Sequence, residues 1–206
     1  MIKPLTILLF FHTSLITYGQ SLEHFADSIR QKYDIPELAF AVISADSIYE
    51  MKILGFQRIN TRYKAQPDDK FRIGSNTKAI TCFIAAELVK KGKINWNTKF
   101  FDLFPELKHS SNKKYHQLTL LNLLSFRTRL YKYTYTYNKP SQDQFNGTED
   151  EQRYQFTKWF FQHKPVSNKD SINFSNLGYV AAGLMLEKAS GKQYKQLVAE
   201  LGQELN

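Results

Sequence analysis

The sequence predicts an α+β fold, with a short antiparallel hairpin near the N-terminus followed by a mainly helical chain. Three observations predict it. Residues 38–56 hold two apolar runs separated by a turn at Ala45-Asp46, several later segments carry apolar residues at helical spacing, and cap and stop residues bracket those segments. At 206 residues, 42% hydrophobic and 23% charged, the chain can bury one domain-sized core and is too apolar to be disordered.

The first element is a helix over 21–33, where Leu22, Phe25, Ala26, Ile29 and Tyr33 recur on one face and Asp34-Ile35-Pro36 stops it. The hairpin follows, as a nearly continuous run over 38–44 and a looser alternation over 48–56. A short strand is expected at 70–73. The segment "FRIGSNTKAITCFIAAELVKKGKI" (71–94) then reads as a helix with Ile80, Phe83, Ile84 and Leu88 on its apolar stripe, closed by Lys90-Lys91-Gly92. Residues 93–118 are turn-rich. "LTLLNLLSF" (118–126) suggests a buried helix capped by Thr119. Tyrosines at alternate positions over 131–137 form either a ragged strand or an aromatic surface loop. Helices are expected over 149–163 and from Ser175 or Asn176 to Ala189, the latter closed by Ser190-Gly191, and a last one runs toward Asn206. Asn146-Gly147-Thr148 reads as a turn.

Residues 1–19 read as a cleavable export signal. Lys3 precedes an apolar run from Leu5 to Ile16, broken by His12-Thr13-Ser14, and Thr17-Tyr18-Gly19 leads to a predicted cut between Gly19 and Gln20. The run falls short of the roughly 20 apolar residues a bilayer crossing needs, so no stable membrane span is expected. The expected location is periplasmic or secreted, with 20–206 as a single domain. The formal charge is +9, or +8 without Lys3, spread along the chain. That pattern suits an anionic envelope surface better than a nucleic acid. Cys82, the only cysteine, excludes an internal disulfide and reads as a small core residue. His24, His109, His116 and His163 show no ligand spacing, so neither metal nor other cofactor is expected.

Ser75-Asn76-Thr77-Lys78 carries the chemistry that stands out. Three residues is close to one helical turn, so a serine and a lysine at this spacing share a face and can bring Oγ and Nζ together. A lysine serves as base only where its surroundings disfavour the ammonium. A backbone N–H at Ser75, at the start of a helix, can hold an oxyanion. The bland alternative is a helix-capping serine beside a surface lysine. Spacing alone does not decide, since "HSSNKK" repeats it at Ser110 to Lys113 and Ser111 to Lys114 in a polar loop.

With "LTLLNLLSFRTRL" and "FSNLGYVAAGLMLEKASGKQY", the Ser75 segment resembles, in order, three signature blocks of the serine β-lactamase-like family, which includes class C β-lactamases, D-alanyl-D-alanine carboxypeptidases and related esterases. The resemblance spans about residues 35–200. It implies a helical region packed on an antiparallel sheet, Ser75 as the acylated nucleophile, Lys78 as its proton-transfer partner, and Asn176 as a side chain that bonds the lysine and the substrate amide. Phe174 falls where the family has a proton-relaying tyrosine, and as a phenyl ring it is expected to serve only as a core aromatic. Phe126-Arg127-Thr128-Arg129-Leu130 replaces a His-Thr-Ser-Gly-Leu type block, so Arg129, where a glycine would turn the backbone at positive φ, either costs about 1 kcal/mol or more or marks a different turn. No Lys-Thr-Gly, Lys-Ser-Gly or His-x-Gly follows Asn176. The resemblance therefore implies a C-terminally truncated copy whose incomplete sheet leaves the hairpin with uncovered apolar faces.

The function this implies is a serine hydrolase acting through a Ser-Lys acyl-enzyme on a cell-wall peptide, a β-lactam or an ester, impaired by the changes at 174 and downstream. The alternative is a non-catalytic envelope or muropeptide-binding protein. A non-functional gene fragment is the third reading.

Overall fold

The computed structural model describes residues 21–130, 132–134, 140–166 and 172–205, without the side chain of Gln142. The expected export signal and Tyr131, Tyr135 and Tyr137 of the tyrosine run lie outside the described residues. The described residues fall into two compact units that divide between Arg72 and Ile73.

In the first unit, helix α1 (Leu22–Lys32) begins at Ser21, whose hydroxyl accepts the His24 N–H at 3.2 Å. Strands β1 (Glu37–Ile43) and β2 (Ile48–Gly55) pair antiparallel from Glu37↔Gly55 to Ile43↔Ile48, with an irregularity after Val42. Alternation puts Leu38, Phe40 and Val42 on one face, opposite Leu54, Lys52 and Glu50. Helix α1 packs on both strands. Ile43, Ile48, Tyr49 and Met51 stay exposed, as expected of an uncovered hairpin. The strand expected at 70–73 does not form. A turn from Gln66 to Asp69 precedes it and Gly74 at φ 52° follows, so too few residues remain extended to make a ladder.

The second unit is helical. One 3-10 turn (Gly74–Asn76) leads into α2 (Thr77–Lys90), and α3 (Phe100–Leu103), α4 (Leu120–Leu124), α5 (Glu149–Phe161), α6 (Asn176–Ser190) and α7 (Tyr194–Glu204) follow. Thr119 caps α4 and exchanges bonds with Asn122 in a capping box, and Thr148 does the same for α5 with Glu151. The Asn146-Gly147-Thr148 stretch is thus the turn into α5. Gly191, at φ 72°, ends α6.

Helix α6 is the centre of this unit and packs against α2, α3, α4, α5 and α7. Residues Leu177, Gly178 and Ala181 to Leu186 are all buried, so it is covered nearly all round. At Gly178 it comes close to α4. A Cβ on Gly178 would lie 2.7 Å from the Leu123 carbonyl oxygen, so only glycine permits this approach. Within α2 the buried residues are Thr81, Ile84, Ala85 and Leu88, while Phe83 is half exposed and does not join the stripe expected of it. The turn-rich stretch 93–118 supplies much of the core: Phe100, Phe101 and Tyr115 meet Phe161 with ring centroids 4.8, 5.1 and 5.6 Å away.

Arg153 of α5 and Glu187 of α6 form a largely buried ion pair at 2.6 Å. The same carboxylate oxygen accepts the Tyr194 N–H at 2.8 Å and so anchors the start of α7. The Tyr194 hydroxyl lies 2.7 Å from Thr81 Oγ1, which ties α7 back to α2.

Candidate active site

Ser75 sits in the 3-10 turn, two residues before α2, rather than at its first helical position. Its side chain caps nothing. Asn76 holds the cap position without a side-chain bond, and Ser75 Oγ instead accepts from Lys78 Nζ at 3.3 Å. The capping alternative therefore fails on geometry. Ser75 is exposed and Lys78 half-buried, so the hydroxyl is open to a ligand while the lysine stem packs. Ser110 and Ser111 behave differently: their hydroxyls donate to the Leu107 and Lys108 carbonyls.

Lys78 Nζ also lies over two aromatic rings, 5.6 Å from the Phe174 centroid and 5.4 Å from that of Tyr179. Phe126 stands against both, at 5.0 Å from Phe174 and 5.4 Å from Tyr179. Phe174 is 51% exposed, so it is not the core aromatic the sequence suggested. It immediately precedes Ser175, the buried residue whose hydroxyl accepts the Leu177 N–H at the start of α6. That cap fixes the chain direction there, and the ring on the previous residue is left outside the core.

Asn176 opens α6, and its backbone N–H donates to the Tyr133 carbonyl at 3.0 Å. Its side-chain Oδ1 is buried and has no partner among the described residues, so the expected bond to Lys78 is not formed. The structure brings Ser75, Lys78 and Phe174 together, and it leaves Asn176 as an unused acceptor.

Tyr179, one turn along α6 from Asn176, is a site residue that sequence reasoning missed. Its hydroxyl donates to the Leu124 carbonyl at 2.8 Å and lies 3.4 Å from Cys82 Sγ. Burial, and then the Cys82 contact, hold this phenol well above the usual tyrosine range. The hydroxyl is thus committed to α4, and the ring face is what meets Lys78. Its spacing from Asn176 at i+3 was the available signal.

The 126–130 block shows what replaces the glycine turn. Phe126 and Arg129 both adopt left-handed backbone, at φ 60° and 55°. Each costs about 1 kcal/mol or more for a residue with a Cβ. Backbone bonds hold the block: Arg127 N–H to Asn122 O at 3.0 Å, Asn173 N–H to Phe126 O at 2.9 Å, and Val166 N–H to Arg129 O at 3.1 Å. Arg129 therefore keeps the positive φ that a glycine would supply.

Ser75 and Lys78 thus meet at the entry to α2, beside a helix that opens with Ser175-Asn176. The beta-lactamase family model matches residues 22–201. The chain belongs to the beta-lactamase family. Protein flp of Staphylococcus aureus (strain MW2) is 24% identical over 181 residues, covering 88% of this chain and 35% of that protein. The class C beta lactamase from Rhodobacter sphaeroides superposes with a TM-score of 0.65 at 18% identity, over 84% of this chain and 45% of that one. The D-alanine carboxypeptidase AmpC from Burkholderia cenocepacia gives 0.63 at 20%, over 83% and 43%. These likenesses show the beta-lactamase fold, with a two-stranded sheet among the described residues. The chain spans about a third of the length of the curated relative and under half of either structure.

Proposed function

We propose that this chain carries the nucleophile and base of a serine hydrolase that works through an acyl-serine. Ser75 Oγ attacks the carbonyl carbon of a cell-wall peptide, a β-lactam or an ester, and the Oγ–C bond forms. Lys78 Nζ, 3.3 Å from that oxygen, takes the serine proton and returns it to the nitrogen or oxygen that leaves. Water then cleaves the acyl-serine. Asn176 Oδ1 is the acceptor that holds Lys78 or a substrate N–H once the site is occupied. The Ser75 N–H, which makes no hydrogen bond to a described residue, is the oxyanion donor this chain supplies. The observation that carries this reading is the 3.3 Å Lys78 Nζ to Ser75 Oγ contact on a serine that caps nothing. An exported protein acting at the cell envelope fits the N-terminal sequence.

The test compares wild type, Ser75→Ala and Lys78→Met with a fluorescent penicillin and with p-nitrophenyl acetate. Only wild type is expected to be labelled and to turn over. Equal labelling of Ser75→Ala would sink the assignment.

A second reading, binding of muropeptide without turnover, draws on the hydroxyl missing at Phe174 and on the unlinked Asn176. It expects saturable muropeptide binding with no product, and turnover of the ester at Ser75 would remove it.

A further inference from the structure

Phe174 and Phe126 do more than replace polar residues. Phe174 is half exposed beside Lys78, and Phe126 packs against it at 5.0 Å with the rings tilted by 32°. Phe126 reaches that place only because its backbone holds a left-handed conformation that bulky residues rarely adopt. The Asn173 N–H to Phe126 O bond ties it to the strand of chain that carries Phe174. Two rings from separate segments are therefore fixed as one wall next to the amine that touches Ser75 Oγ.

An exposed aromatic face has little to gain from water and much from a flat apolar partner, and ring-on-ring contact adds to simple burial. A carboxylate or other strongly hydrated anionic group would lose its water against the same wall and receive no hydrogen bond in return. We propose that the Phe126–Phe174 pair is a specificity wall that selects substrates with an uncharged aryl group next to the reacting carbonyl. The inference rests on the hydrolase reading for its reaction and names the substrate class of that site. Lys78 and Ser75 act on the carbonyl, and the wall holds the ring attached to it.

The test uses unreactive amides, so that binding is read apart from chemistry. Benzamide and cyclohexanecarboxamide, similar in size but only one aromatic, are titrated by NMR against wild type, Phe174→Leu and Phe126→Leu. Wild type is expected to prefer benzamide by about fivefold, and each leucine variant to lose most of that preference. Equal affinity for the two amides, or a preference that survives both substitutions, overturns the wall. Phe174 is half exposed, so Phe174→Leu keeps the fold and decides the matter if Phe126→Leu does not fold. Hydrolysis of p-nitrophenyl benzoate, whose ring is attached to the reacting carbonyl, is followed separately. Absent turnover with the benzamide preference intact removes the hydrolase reading and leaves the wall, whereas turnover with no preference removes the wall alone.

Discussion

Gly178→Ala tests the packing that places Asn176 and Tyr179. The new methyl would stand 2.7 Å from the Leu123 carbonyl oxygen and 3.5 Å from the carbonyl carbon, both backbone atoms of α4 that no rotamer change can move. Helices α4 and α6 must separate. Alanine gains about 1 kcal/mol of helix propensity over glycine. Overpacking against a fixed backbone costs about 3 kcal/mol, the upper part of the usual range. The net loss is about 2 kcal/mol, which for a chain of this size lowers Tm by about 4 to 8 °C. Gly202 on α7 provides the internal control, because a Cβ there meets nothing within 4 Å. Gly202→Ala is expected to raise stability by about 1 kcal/mol from propensity alone. Thermal unfolding followed by circular dichroism measures both. If Gly178→Ala were as stable as wild type while Gly202→Ala behaved as expected, the α4–α6 contact described above would be wrong.

Three further outcomes follow from the same structure. Tyr115 is buried, its hydroxyl has no partner among the described residues, and burial holds its phenol above the usual range. Tyr115→Phe should therefore stabilise by about 1 kcal/mol, and a fall in Tm would show that the hydroxyl is bonded. Arg153→Met leaves the Glu187 carboxylate largely buried without its 2.6 Å partner and should cost about 3 kcal/mol in urea unfolding, with the Arg153→Met/Glu187→Gln double variant recovering much of it. Stability independent of Arg153 would contradict a buried pair. Phe174→Tyr restores a hydroxyl beside Lys78 and should speed ester hydrolysis by about 10²-fold, the lower end of general acid–base effects. No change in kcat would mean that the ring edge does not face the reacting atoms.

Local rules made much of this fold legible. Ser21, Thr119 and Gly191 mark helix ends that the sequence announces, because a cap depends on a residue's own side chain or φ. The hairpin register follows from alternation and a short turn. The misses are tertiary. Phe100 and Phe101 looked like part of a turn-rich loop, yet they enter the core because Phe161 and Tyr115 come to them from distant sequence. Residues 70–73 carried a strand-like pattern but found no partner, and a strand needs one.

The site divides in the same way. The Ser75–Lys78 pairing is a matter of one helical turn and is readable from spacing. That Phe174 lies outside the core depends on how Ser175 starts α6, and that Tyr179 lies under Lys78 depends on how α6 meets α2. Neither relation is local. The positive φ at Arg129 was anticipated only as one of two possibilities, since propensity disfavours it and the bonds from Arg127, Asn173 and Val166 are what hold the block.

The most direct test of the central claim is to trap the acyl intermediate and find its position. Wild-type protein is incubated with a β-lactam or an activated ester, quenched in acid, digested and mapped by mass spectrometry. A single added acyl mass is expected on the peptide containing Ser75, absent after Lys78→Met. An adduct on any other residue, or no adduct in protein shown to be folded, would contradict Ser75 as the nucleophile.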